Sequence, residues 1–95
     1  MIKVVCKIKL KPGVKADEYL RMAREIVTET RKEKGCITYT INEDINDPTI
    51  LAMLEEWENE ETLDEHNRSE HVLRIVPALR KLRESTELNI YKEVE

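Results

Sequence analysis

Ile50-Leu51-Ala52-Met53-Leu54-Glu55-Glu56-Trp57-Glu58-Asn59 is the stretch on which the fold turns. Its residues alternate as in a strand: Leu51, Met53, Glu55 and Trp57 share one face, and Ile50, Ala52, Leu54 and Glu56 the other. Asn59 then caps a short helix, with Thr62 at its third position and Leu63 and His66 turned inward. Trp57 is the only tryptophan of the 95 residues, and His66 and His71 are the only histidines. A large aromatic ring, a carboxylate and an imidazole therefore leave one strand-to-helix corner and can face a common space.

Upstream of this stretch, Asn46-Asp47-Pro48 is a turn signal that predicts a hairpin with a strand over Cys36 to Glu43. In that strand Ile37, Tyr39 and Ile41 are expected on one face, and Cys36, Thr38 and Thr40 on the other. Before it, Lys15 to Glu33 reads as a helix, with Tyr19, Met22, Ala23, Ile26, Val27 and Thr30 in one stripe. Asp17 and Glu18 suit its positive end, Arg31, Lys32 and Lys34 its negative end, and Gly35 terminates it. Ile2 to Leu10 alternates as a first strand with Ile2, Val4, Cys6, Ile8 and Leu10 inward. Downstream, Ser69 is placed to cap a helix carrying Val72, Ile75, Val76, Leu79 and Leu82, and Pro77 predicts a kink or restart inside it. Thr86 to Val94 reads as the last strand, with Leu88, Ile90 and Val94 on one face.

The element order is β-α-β-β-α-β, a single α+β domain over residues 1–95. That order predicts a ferredoxin-like antiparallel sheet with its helices on one face. Val5, Thr38, Thr40, Ile50, Ala52, Leu54 and Tyr91 would then lie on the other face, which is too apolar to stand in water. Two such sheets packed face to face in a two-fold homodimer would cover it.

Composition narrows the partners. The net charge is −4, and no basic cluster with interleaved aromatics occurs, which argues against nucleic acid. There is no run of 18 apolar residues, and the strand pattern already begins at Met1-Ile2-Lys3-Val4, so neither a membrane span nor a signal peptide is expected. The expected compartment is the cytoplasm. Cys6 and Cys36 fall inside strands without Cys-x-x-Cys spacing and read as buried thiols, not as a disulfide or a metal site. The five-residue spacing of His66 and His71 does not align two ligands on one helical face, so no metal is expected.

Several residues carry a resemblance. Gly35-Cys36-Ile37-x-Tyr39 resembles a Gly-Cys-x-x-Tyr signature. Glu55-x-Trp57-Glu58-Asn59, Leu63-x-x-His66 and Ser69-Glu70-His71 resemble a Glu-x-Trp-x-Ser, Leu-x-x-His and (Ser/Thr)-x-His pattern. These are the marks of the antibiotic biosynthesis monooxygenase domain family, in the dimeric α+β barrel superfamily, and the chain is most similar to its small quinol monooxygenases. The resemblance implies a homodimer whose sheets close into a barrel, each protomer with its own pocket between sheet and helices. It also implies oxidation of a small aromatic quinol or phenol by molecular oxygen as co-substrate, with no cofactor. Where haem-degrading relatives carry an asparagine on the first strand this chain has Cys6, which argues against haem degradation.

Within that frame His66, Glu55 and Trp57 are the expected catalytic residues. His66 has the near-neutral pKa that a base for a phenol needs. Glu55 would pair with it, and Trp57 would stack on a flat ring. Tyr39 could donate to a substrate oxygen, and Met53 and His71 complete the expected substrate-binding set. Each residue also has a packing role open to it: Trp57 as a core aromatic, His66 as a buried histidine bonded to backbone, Glu55 as a cap or interface partner. An isomerase or lyase acting on a small carbonyl compound, and a non-catalytic dimeric small-ligand-binding domain, fit the same residues.

Overall fold

Strict alternation over Ile2–Leu10 makes β1 the spine of the molecule: Val4, Cys6, Ile8 and Leu10 are buried and the lysines between them face out. The computed structural model describes residues 1–95. After β1 come α1 (Ala16–Thr30), β2 (Cys36–Asp44), β3 (Asp47–Trp57), α2 (Glu60–Asn67), α3 (Glu70–Arg80) and β4 (Arg83–Lys92). The strands form one antiparallel sheet in the order β2-β3-β1-β4. α1 packs on β2, β3 and α3, and α2 packs on β3 and α3. This is the expected α+β, ferredoxin-like arrangement. Ile8, Leu51 and Trp57 are completely buried where the helices meet the two central strands.

Several local expectations are corrected. α1 ends at Thr30, not Glu33, and a turn over residues 31–35 follows. Gly35 closes that turn with φ +88°, and a Cβ there would lie 2.3 Å from Thr62 Cγ2, so only glycine fits. In β2 the register slips: Cys36 pairs with Trp57 but Thr38 already pairs with Glu56, leaving Ile37 as an extra residue. The bulge reverses the expected faces at that end, turning Cys36 towards the core and leaving Ile37 exposed. Helix α3 runs unbroken through Pro77. Pro77 and Leu73, whose carbonyl the proline leaves without its usual donor, are both exposed, so water can satisfy the group. Strand β4 spans Arg83–Lys92, which leaves Val94 outside it.

Two apolar surfaces remain. Leu88 and Ile90 pair with Cys6 and Val4 on the helix side of the sheet, yet both are more than half exposed because the helices make few contacts with β4. On the far side, Val5 and Thr40 flank Leu54, which is 43% exposed.

Candidate active site

The end of β3 and the start of α2 are joined by a tight local structure. Asn59 Oδ1 accepts from Thr62 N at 2.9 Å, and Thr62 Oγ1 lies 3.4 Å from Asn59 N, so the expected cap is a full capping box. The cap fixes α2 so that His66 comes down over Trp57, ring centroids 4.7 Å apart, and edge-on to Tyr39 at 5.4 Å. Ser69 occupies the cap position of α3, but its hydroxyl does not cap. It donates to the His66 carbonyl at 2.6 Å and lies 3.2 Å from His71 Nε2.

His66 and His71 stand on separate helices, so their spacing on one helix has no bearing. Both reach Glu33 Oε2, His66 through Nδ1 and His71 through Nε2, each at 2.7 Å. Glu33 comes from the turn after α1 and was not singled out in the sequence. One signal was present: an acid at the negative end of a helix opposes the dipole, and it sits among Arg31, Lys32 and Lys34. A carboxylate oxygen accepts, so Nδ1 of His66 carries the proton and Nε2 keeps its lone pair. No protein group bonds that Nε2. The three donor atoms all lie within 4.8 Å of one another, and two imidazoles with a carboxylate are a set that zinc-like ions use. The two short contacts are hydrogen-bond lengths, so the cluster also closes on itself.

Glu55 does not pair with His66. Its Oε1 accepts from Trp57 Nε1 at 3.0 Å. Burial pushes the Glu55 carboxyl up to about 7, opposed by the Trp57 bond and reinforced by the Glu33 charge. Burial draws His66 below its ordinary value, against the hydrogen bond and charge of Glu33, which raise it. Tyr39 is raised, chiefly by burial and then by the Glu55 charge, so its hydroxyl stays a donor.

These groups meet in a cavity of about 510 Å³ between the helices and the β1–β4 side of the sheet. Tyr39, Met53, Glu55 and His66 line it. Trp57 and His71 do not. Trp57, fully buried under α2, cannot stack on a ligand, and acts instead through Glu55 and His66. His71 is turned to Glu33. Arg80 and Arg83, absent from the expected site, line the opposite end.

Residues 1–78 match the model of the family described as antibiotic biosynthesis monooxygenase. The chain is 34% identical over 71 residues to the Bacillus subtilis (strain 168) protein named "Putative monooxygenase YcnE", covering 75% of this chain and 74% of that protein. It is 32% identical to the uncharacterized protein sll1783 of Synechocystis, aligned over 99% of this chain but only 64% of that protein's length. Among solved structures, a conserved protein from Methanosarcina mazei Go1 superposes with a TM-score of 0.91 at 42% identity, covering 97% of this chain and 91% of that one.

Proposed function

Given that this chain belongs to the antibiotic biosynthesis monooxygenase family, we propose that its cavity oxidises a small aromatic phenol or quinol with molecular oxygen and no bound cofactor. The observation that carries this reading is the pair of proton-transfer groups on one wall, Glu55 raised to about 7 and His66 drawn down by burial with its Nδ1 held by Glu33. Cofactor-free oxygenation requires the substrate to become an electron-rich anion in a site poor in water. His66 Nε2 takes the phenol proton, and the Tyr39 hydroxyl donates to the resulting oxyanion. The anion reduces oxygen by one electron, and the two radicals join at a ring carbon bearing hydrogen. Loss of water from that hydroperoxide leaves one oxygen atom in a quinone and the other in water. Apolar lining from the buried Cys6 and Met53 keeps water from that wall of the cavity.

The protein acts as a homodimer, its outer sheet face around Leu54 covered by a second copy. No helix is long and apolar enough to cross a membrane. Two free cysteines, Cys6 and Cys36, suit a reducing cytoplasm. A second reading has support from the same two groups: Glu55 and His66 could shuttle a proton in an isomerase or lyase reaction on a small carbonyl compound. Oxygen decides between them. Dissolved oxygen is followed with purified protein and a panel of dihydroxynaphthalenes, with His66→Ala as the control. Protein-dependent uptake that falls by about 100-fold or more in the variant supports the oxygenase. Uptake no faster than autoxidation across the panel rejects it and directs the search to oxygen-independent turnover.

A further inference from the structure

We propose that Arg80 and Arg83 form an anion-binding end of the cavity, so that the ring oxidised at the other end carries a carboxylate or similar anionic substituent. The inference rests on the reading of this cavity as the substrate pocket. Its residues are sorted by charge along its length. Tyr39, Glu55 and His66 stand at one end, Cys6, Met53 and Leu88 in the middle, and the two arginines with Thr86 at the other. A neutral ring would need only the first two zones.

The state of the guanidinium groups is the second observation. Arg74 on the same helix is consumed by ion pairs to Glu25 and Glu70. Arg80 and Arg83 pair with no carboxylate, although both line the cavity. Glu84, on the same rim, forms no ion pair with either. Arg83 is also aimed. Its Nε donates to the hydroxyl of buried Tyr19 at 2.9 Å, and its Cζ stands 5.8 Å from that ring's centre. Nε is thereby occupied, and the two terminal nitrogens are left as a free fork of the geometry that grips a carboxylate. The hydrogen bond from Lys11 N to Leu82 O, 2.9 Å, anchors the short α3–β4 connection that delivers both residues. Their charge reaches the cavity wall: both arginines pull the Cys6 thiol down, against the burial that raises it.

An alternative is that Arg80 only complements the negative end of α3. That role does not account for Arg83, which opens β4 and stands in the same cavity.

Binding tests this without requiring turnover. Affinities of 6-hydroxy-2-naphthoate and 2-naphthol are measured by titration calorimetry in the absence of oxygen. The naphthoate is expected to bind at least about tenfold more tightly, an advantage that shrinks with added salt. Arg80→Gln is expected to reduce the ratio, and Arg80→Gln with Arg83→Gln to bring it close to one. Arg83→Lys, which keeps the charge without the fork, is expected to fall between. Because Arg83 supports Tyr19, the Arg80→Gln result stands on its own if the double variant does not fold. Equal affinities in the wild type, or a ratio that survives in the variants, overturn the proposal. Binding of neither probe overturns it together with the aromatic-pocket reading. Charge-selective binding without oxygen uptake on a dihydroxynaphthoate rejects the oxygenase reading alone.

Discussion

Glu55 is 8% exposed and receives one hydrogen bond from the protein, from Trp57 Nε1. Its folded pKa of about 7 lies above the ordinary carboxyl value of 4.5, so folding disfavours its ionisation. The resulting stability is fully present below pH 4.5 and is lost as pH rises through 7. Glu55→Gln keeps an acceptor for Trp57 and removes the charge. The variant is expected to gain about 3 kcal/mol at pH 8 and less than about 1 kcal/mol at pH 5, read by urea unfolding at the two pH values. An equal gain at both would mean that the carboxyl is not held neutral. His66 acts with the opposite sign. Its lowered pKa favours the neutral ring in the fold, so stability falls as pH drops through its ordinary value of 6.5. Glu33 is what holds His66 up, so Glu33→Ala is expected to lower the His66 pKa further, seen by NMR titration of the imidazole. The same variant should slow oxygen uptake by about tenfold or more as the ring loses its fixed tautomer. A titration unmoved by the substitution would show that the 2.7 Å contact does not orient the ring.

At the scale of elements, the turn between α1 and β2 decides whether the site assembles. Gly35 lies in the left-handed region and against Thr62, while the Gly35 carbonyl accepts from Glu58 N at 2.9 Å. Gly35→Ala is expected to cost about 2 kcal/mol or more in unfolding free energy, and to weaken activity in what remains folded, because the turn carries Glu33. A change within about 0.5 kcal/mol would mean that the turn and α2 separate at little cost. The same turn marks the boundary of what was legible in the sequence. Alternation in β1 and β3 and the Asn59 cap were readable because they depend on local spacing and on side chains that bond nearby backbone. The inward placement of Tyr39, Met53, Glu55 and His66 followed from the same periodicities. Glu33 was not readable as a site residue, since its role appears only when three elements meet, and in the sequence it stands as the last residue of the helix expected over Lys15 to Glu33. Ile37 was misplaced because a bulge inserts one residue without a glycine or proline to announce it. Trp57 was expected against substrate because alternation gives the face of a strand but not whether a helix or a cavity lies over it. The arginines escaped notice because each reads alone as an ordinary charged residue at an element's end.

At the scale of the molecule, only 19 of 95 residues are buried, a small core for a sheet of four strands. The sheet has helices on one side alone, and its other side offers Val5, Thr40, Ile50, Ala52 and Leu54 as a half-exposed apolar band. Lys3 is engaged with Glu56 and Glu93 beside that band, which leaves a polar rim around an apolar centre. A second copy turned through two-fold symmetry would meet this band with its own and remove both from water. Leu54 is the residue to change, because it is 43% exposed and pairs with Val5 and Thr40 in the middle of the band. Leu54→Asp would bring two carboxylates to a desolvated centre and is expected to convert a dimer to a monomer, measured by analytical ultracentrifugation. Because association stabilises only the folded state, the wild-type melting temperature should rise with protein concentration, and that dependence should vanish in the variant. A wild type that sediments as a monomer with a concentration-independent melting temperature would remove the dimer. The apolar face would then have to be explained as a surface for a different partner.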